Sequence, residues 1–234
     1  MDYEARIIEI RDETPTVKSF LLDLNGGEIN FSPGQYIDLY VETPYLHEVA
    51  GYSITSSPLD KSTISIAVKK LPWTNATVYL HEVCEIGDTL ALKGPGGEFC
   101  YRSDNSEDVI LIAGGIGVTP LLSMCRYIHS ARLPARVTLI YSAKNPAEMA
   151  FMEELSLIEA SSQNFRCLFT VTSLEGEPWT GSVGRINSDM LRTFIEPGRN
   201  DIFICGPTGM AEDVTQMLKE LGVDESGIKA EMWW

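Results

Sequence analysis

The pattern of hydrophobic residues changes near residue 102, and this change constrains the fold more than any other feature of the chain. From Tyr3 to about Tyr101, short β-like runs alternate with glycines and prolines. Evenly spaced short strands of this kind are typical of a small antiparallel β-barrel. The predicted strands cover residues 6–10, 18–22, 36–41, 63–68 and 89–92.

After a polar segment at residues 102–108, strand-like and helix-like patterns alternate. The predicted strands cover residues 109–113, 137–141, 165–172, 201–205 and 228–232, and the predicted helices lie near 120–130, 147–160, 188–195 and 209–221. Such alternation indicates a doubly wound parallel sheet with helices on both faces. We therefore predict a barrel domain at residues 1–103 and an α/β domain at residues 104–234.

The composition excludes several classes of function. The net charge of −15 argues against a nucleic acid or an anionic membrane as partner. No apolar run approaches the ~20 residues of a membrane helix, and the first residues resemble neither a signal nor a transit peptide. The five cysteines include no Cys-x-x-Cys pair, so they indicate no metal site. Their odd number is expected for reduced thiols in the cytoplasm.

The loop from Gly115 to Pro120 directly follows the apolar strand at 109–113. Two glycines allow a ligand to approach the backbone, and Pro120 at a first helical position leaves nearby amides facing an anion. A second apolar run ends at Cys205-Gly206-Pro207. Because strand ends of a parallel sheet converge on one crevice, both loops are predicted to contact the same nucleotide.

The barrel half carries a candidate surface for a flat heterocycle. In Ala50-Gly51-Tyr52-Ser53, an aromatic ring and a hydroxyl stand among small residues. Further along, residues 74–81 are predicted to begin a short helix whose amides, with the Thr77 hydroxyl, face a phosphate. Ordinary aromatic packing for Tyr52 and a simple helix cap for Thr77 are the alternatives.

Taken in order, the motifs resemble the ferredoxin-NADP reductase superfamily of flavin-dependent NAD(P)H oxidoreductases. Within it, the chain looks closest to the oxidoreductase NAD-binding-domain-containing group. The matching segments are Pro33-Gly34-Gln35-Tyr36, Gly51-Tyr52-Ser53, Tyr79-Leu80-His81, Gly87-Asp88, Gly94-Pro95-Gly96-Gly97-Glu98-Phe99, residues 114–120, residues 205–210 and Glu231-Met232-Trp233-Trp234. The resemblance implies a flavin-binding barrel followed by a nicotinamide-nucleotide domain. It also implies an enzyme that passes hydride from NAD(P)H to N5 of FAD, and then electrons to an unidentified protein or small-molecule acceptor.

The resemblance assigns roles to residues of the barrel. Tyr52 is expected to stack on the isoalloxazine, and Ser53 to hydrogen-bond near N5. The remaining expected FAD contacts are backbone groups of Gly51 and Ile54, the adenine-side strand residues Ala67, Val68 and Lys69, and the pyrophosphate ligands Asn75, Ala76 and Thr77.

In the second domain, the resemblance places Cys205 beside the reacting atoms and Glu231 close enough to organise its thiol. With Ser53, these two are the expected catalytic residues. Trp233 is expected to cover the flavin. The expected nucleotide contacts are Gly114, Gly115, Gly117, Thr119, Pro120, Ser142, Lys144, Gly206, Pro207 and Met210.

One position departs from the family pattern. The family commonly has an arginine two residues before the motif tyrosine, where it binds the flavin phosphate. This chain has Ala50 there. Either another group, such as His47 or Lys69, compensates, or FAD binds more weakly than is usual.

Two further questions stay open at the level of sequence. Ser142 and Lys144 permit either NAD or NADP, although the lack of an arginine cluster favours NADH. The two alternatives to a reductase with bound FAD are a flavin reductase that releases its flavin, and a non-catalytic nucleotide-binding subunit derived from a reductase.

Overall fold

The computed structural model describes residues 2–43, 46–102, 107–195 and 200–233. Its first six strands are β1 (Tyr3–Thr14), β2 (Val17–Asp23), β3 (Tyr36–Thr43), β4 (Leu46–Ser53), β5 (Thr63–Lys69) and β6 (Thr89–Gly96). They form an antiparallel sheet in the order β4-β3-β6-β1-β2-β5. A bridge between Ile54, just past β4, and Ile66 of β5 joins the two edges, which gives the sheet its barrel form.

The barrel forms because alternate residues of its strands are apolar and point inward. Phe20 and Leu22 of β2, and Ile64 and Ile66 of β5, are completely buried in one cluster. One helix, α1 (Asn75–Glu82), follows β5 and contributes the buried Leu80 to the same core. The cleft described below lies beside the start of this helix.

The second half forms a parallel sheet. Its strands are β7 (Asp108–Gly114), β8 (Arg136–Ala143), β9 (Phe165–Val171), β10 (Ser182–Val183), β11 (Asn200–Pro207) and β12 (Ile228–Trp233). The order is β10-β9-β8-β7-β11-β12. From β7 the chain adds β8, β9 and β10 on one side and then β11 and β12 on the other. The topological switch point therefore lies between β7 and β11, which is where doubly wound sheets bind ligands.

Helices cover both faces of this sheet. They are α2 (Val118–Ser130), α3 (Met152–Ser161), α4 (Ser188–Arg192) and α5 (Thr208–Glu220). Within β7, Val109 and Leu111 belong to the core under α2 and α3, whereas Ile110 and Ile112 belong to the core under α4 and α5. A strand buried on both faces is continuously apolar, as this one is. In the described part of the chain, every helix is too short or too polar to cross a bilayer.

The predicted fold class, a barrel followed by a doubly wound sheet, is confirmed. Two of the differences from the sequence-based expectation concern where helices begin. Pro120 is the third residue of α2 and not the first, because a 3-10 turn at Gly115–Gly117 leads directly into Val118. The predicted helix at 147–160 begins only at Met152, after a separate 3-10 turn at Pro146–Glu148. The predicted domain boundary, between residues 103 and 104, lies outside the described residues.

Polar and aromatic contacts join the two halves. Arg126 of α2 donates to the Thr55 carbonyl at 2.9 Å and forms a two-pronged pair with Glu154 of α3. Ser123, one helical turn earlier, donates to the Ser56 carbonyl at 2.7 Å. The bonds to the Thr55 and Ser56 carbonyls join the barrel to α2, and the pair with Glu154 holds the Arg126 guanidinium from within the second half.

Candidate functional site

A cleft lies where the ends of β4 and β5, the start of α1 and the start of α2 meet. Its lining residues are Gly51, Tyr52, Ser53, Ala67, Val68, Lys69, Leu71, Thr77, Ile116 and Thr119. All of these except Leu71 and Ile116 were expected from sequence to contact a cofactor. The two missed residues are apolar and have no chemical signature, although Ile116 lies between the glycines of the 114–117 loop.

Tyr52 combines a packed ring with a hydroxyl that lacks a partner. The ring packs against the barrel core. The Oη atom is buried and has no hydrogen-bond partner among the described residues. Burial raises the pKa of Tyr52 well above its ordinary value, and the nearby Glu48 carboxylate adds to the rise. The hydroxyl is therefore neutral at physiological pH and able to donate to a ligand in the cleft, which fits a bound flavin.

The glycine-rich motifs of the barrel meet around Tyr36. A Cβ atom added to Gly96 or Gly97 would come within 3.1 Å and 3.0 Å of the Tyr36 ring, and one on Gly51 would lie 3.5 Å from it. Gln35 donates from Nε2 to the Gly97 carbonyl at 3.1 Å. Glycine at these positions therefore leaves room for the Tyr36 ring. Gly51 also lines the cleft.

Ser53 and Ile54 end the β4 segment differently. Ser53 is almost fully buried and lines the cleft. Ile54 is completely buried in the barrel core and does not line the cleft, and its amide donates to the Gln35 carbonyl at 2.9 Å. The amide of Ile54 is thus already used within the protein.

Polar groups at the start of α1 form hydrogen bonds within the protein. The Leu71 amide donates to Thr77 Oγ1 at 3.0 Å, and the Thr77 hydroxyl lies within 2.7 Å of the Thr74 hydroxyl. The Ala76 amide donates to Glu48 Oε2 at 3.2 Å, and Asn75 is exposed. A carboxylate therefore already contacts the amide end of the helix where a phosphate was expected.

The two basic candidates to replace the family arginine differ in their surroundings. Lys69 Nζ is 3.5 Å from Glu148 Oε2, in the second domain, and the Thr16 hydroxyl bonds to the same carboxylate oxygen. His47 is exposed, and in β4 it alternates with Glu48 and Ala50 across the two faces of the strand. Lys69 is the only one of the two that lines the cleft.

The loop after β7 shows why its glycines are needed. A Cβ on Gly117 would lie 2.2 Å from the Cys205 carbonyl oxygen, and one on Gly114 would lie 2.5 Å from Met210 Sδ. These two positions are glycine because β11 and α5 pack against them. By contrast, Gly115 has φ +54° and open space where a Cβ atom would lie, so its glycine follows from the backbone conformation and not from packing.

The remaining members of this loop region lie close by. A Cβ on Gly206 would meet the Met210 side chain at 2.7 Å, and Pro207 Cδ would lie 2.9 Å from a Cβ on Gly114. Thr119 lines the cleft while its hydroxyl donates to the Ile116 carbonyl at 2.9 Å. Pro120 is buried in the first turn of α2.

Cys205 and Glu231 are directly opposite each other in the parallel ladder of β11 and β12. Cys205 is completely buried. Glu231 is half-buried, and burial raises its pKa to about 7. The backbone of Trp233 pairs with Pro207 in the same ladder, and its side chain lies outside the described part of the structure.

The end of β8 carries Ser142 and Lys144. Ser142 pairs with Gly114 in the sheet, next to the glycine loop. Lys144 Nζ lies 2.9 Å from Glu175 Oε1, and Asn145 donates from Nδ2 to Glu175 Oε2 at 2.7 Å. The ion pair raises the pKa of Lys144 and lowers that of Glu175. The sequence did not predict a role for Glu175, because this residue follows β9 whereas Lys144 follows β8.

Comparison with known families gives two matches that together cover most of the chain. Residues 4–101 match the family model of the oxidoreductase FAD-binding domain. Residues 111–216 match that of the oxidoreductase NAD-binding domain. The cleft lies between these two matched regions, with eight lining residues from the first and two from the second.

Similar proteins extend along nearly the whole chain. The "oxidoreductase NAD-binding domain-containing protein 1" of Danio rerio is 32% identical over 253 residues, covering 99% of this chain and 92% of that protein. The "glycine betaine monooxygenase reductase subunit" of Chromohalobacter salexigens is also 32% identical, over 96% of this chain but only 62% of its own length. The FAD/NAD binding domain of nitric oxide dioxygenase from Vibrio cholerae superposes with a TM-score of 0.88 at 25% identity, covering 99% and 98% of the two chains.

Proposed function

Since the chain belongs to the family of FAD- and NAD-binding oxidoreductases that have the ferredoxin-NADP reductase fold, we propose that it transfers hydride from NADH to FAD and passes the electrons to a separate acceptor. The observation that carries this proposal is the cleft. Tyr52 and Ser53 of the barrel line it together with Ile116 and Thr119 of the nucleotide domain. One space bordered by both domains is what two reacting rings require.

When bound, FAD supplies a two-electron centre that accepts hydride at N5 and then releases electrons. Tyr52 binds the cofactor through its ring face and its buried hydroxyl. Ser53 donates a hydrogen bond near N5. With both ligands bound, Ile116 and Thr119 would help to exclude water from the cleft that they line.

Cys205 and Glu231 serve the nucleotide side of the reaction. The Cys205 position, at the end of β11 and against Gly117, supports a role in orienting the nicotinamide. Glu231 has a pKa near 7, so its carboxyl group holds a proton for a substantial fraction of the time at neutral pH. The protonated carboxyl donates a hydrogen bond within the site, and the ionised form accepts one.

The donor is proposed to be NADH. A 2′-phosphate near Lys144 has to compete with the Glu175 carboxylate, which already forms an ion pair with that lysine. A ribose 2′-hydroxyl instead donates to a carboxylate. Two relatives are glycine betaine monooxygenase reductase subunits, which supports a protein as the electron acceptor.

The proposal is tested with protein loaded with FAD and supplied with NADH and ferricyanide. We expect turnover that requires added FAD, and a fall of about tenfold or more for Ser53→Ala, since one hydrogen-bond donor at the reacting ring is removed. Ser130→Ala, at the end of α2 and away from the cleft, is the matched control. Turnover that is independent of flavin, or equal in both variants, contradicts the proposed role.

A further inference from the structure

We propose that Glu48 is an internal anion that competes with the diphosphate of FAD for the amino end of α1, so that the chain holds FAD loosely and exchanges it. This inference rests on the proposed function, because it concerns the same flavin site. Glu48 would then control how tightly the diphosphate part of FAD binds.

The first observation is the contact at the helix start. Glu48 Oε2 accepts the Ala76 amide at 3.2 Å. The helix has no acidic residue in its first turn, and Thr74 at its N-cap forms no side-chain cap to the helix. The carboxylate of Glu48 therefore supplies the negative charge that the amides and the helix dipole favour, which is also what a phosphate supplies.

The second observation is the cleft beside this contact. Thr77, in the first turn of the same helix, lines the cleft together with Tyr52. The buried Tyr52 hydroxyl has no partner among the described residues, so it is a donor beside the cleft that the protein itself does not use. Glu48 is close enough to Tyr52 for its charge to act on the phenol.

The third observation is the charge along β4. Glu48, Ala50 and Tyr52 alternate onto one face of the strand. The face that borders the start of α1 therefore presents a carboxylate and a methyl group. The cationic Lys69 also lines the cleft, but Glu148 lies 3.5 Å from its Nζ and offsets its charge.

These charges have a defined consequence for ligands. A diphosphate that approaches the Ala76 amide must displace a carboxylate and then remain near it. Like charges a few ångströms apart in a partly buried site oppose each other strongly enough to weaken binding by about tenfold. Riboflavin carries the same ring without any phosphate, so Glu48 affects FAD and leaves riboflavin nearly unaffected.

The experiment measures dissociation constants of FAD and riboflavin for the flavin-free protein by quenching of flavin fluorescence. Glu48→Gln keeps the hydrogen-bond acceptor and removes the charge. We expect FAD to bind about tenfold more tightly to this variant and riboflavin to change by less than about twofold. The matched control is Glu28→Gln, which removes one exposed charge. Glu28 precedes Ile29, whose amide donates to the Lys61 carbonyl just before β5 begins, whereas the cleft borders the other end of that strand.

A second variant tests the same electrostatics from another residue. Ala50→Arg places a cation on the same face of β4, and we expect it to tighten FAD by at least as much as Glu48→Gln. Far-ultraviolet circular dichroism confirms that each variant is folded. If both flavins bind but neither variant changes the ratio of their affinities relative to Glu28→Gln, Glu48 does not control the phosphate. If neither flavin binds any variant, the proposed function fails, and this inference fails with it.

Discussion

Glu231 is directly opposite Cys205 in the parallel ladder of β11 and β12, at the carboxyl edge of the second sheet. The carboxyl group is half-buried there, which raises its pKa to about 7. A residue whose charge changes near neutral pH makes both stability and reactivity depend on pH. The first prediction uses stability, because stability can be measured without any ligand.

Glu231→Gln is expected to stabilise the protein at high pH and not at low pH. The folded state binds the proton more tightly than the unfolded state, so the native protein loses stability as pH rises from about 4.5 through 7. Because solvent screens part of the charge, we expect a gain of about 1–2 kcal/mol for the variant near pH 8 and little near pH 5. Urea unfolding at both pH values measures the difference. Glu212→Gln, on the exposed side of α5, is the control, and an equal gain at both pH values contradicts the assignment.

Tyr52→Phe is expected to separate stability from cofactor binding. The substitution removes a buried hydroxyl that has no partner among the described residues, so the free energy of unfolding should be unchanged or higher by up to about 1 kcal/mol. Flavin affinity should fall by about five- to tenfold, since one hydrogen bond to the ligand is lost. Thermal unfolding and flavin fluorescence quenching give the two values. Tyr127→Phe, in α2, should change flavin affinity little, and a Tyr52→Phe variant that binds flavin normally shows that the hydroxyl does not contact it.

Arg126→Lys is expected to weaken the attachment of the barrel to the second domain. Lysine cannot form the two-pronged pair with Glu154 and also reach the Thr55 carbonyl, both of which the guanidinium does. We expect a loss of about 1–3 kcal/mol in the free energy of unfolding. The control is Arg192→Lys, whose exposed pair with Asp189 should change stability by less than about 0.5 kcal/mol. Equal effects in urea unfolding indicate that Arg126 does not join the domains.

Glu175→Gln is expected to shift the nucleotide preference toward NADP. The substitution releases Lys144 from its ion pair and removes the negative charge that opposes a 2′-phosphate. We expect the ratio of the affinities for adenosine 2′,5′-bisphosphate and AMP to rise by about tenfold. Isothermal titration measures both ligands without any flavin. Glu177→Gln, two residues further in the same exposed loop, should leave the ratio unchanged, and a shift of equal size there shows that only the net charge matters.

Much of the fold followed from local patterns in the sequence. The strand at 109–113 was predicted because it is continuously apolar, and the structure buries alternate residues of β7 in two different cores. The start of α3 was misplaced because a 3-10 turn at Pro146–Glu148 interrupts the helical pattern before Met152. Local periodicity does not distinguish such a turn from the first turn of a helix.

The candidate site was less accessible to sequence-based prediction. Tyr52, Ser53 and Thr119 were expected and line the cleft, although their roles remain predictions. The contacts of Glu48 with Ala76 and of Lys144 with Glu175 link residues about 30 positions apart in the chain. A carboxylate has no preferred spacing to such partners, so only the folded structure could identify them. The same applies to the close packing of the Cys205 carbonyl against Gly117, which leaves no room for a Cβ atom there.

The central claim is that hydride passes from NADH to a flavin held in the cleft between the two domains. The most direct measurement is anaerobic stopped-flow absorbance near 450 nm after FAD-loaded protein is mixed with NADH or with NADH deuterated at C4. The account predicts a single-turnover loss of flavin absorbance that is slower with deuterated NADH by about two- to fivefold, as expected when C–H cleavage limits the step. A flavin spectrum that stays unchanged with excess NADH would contradict the account.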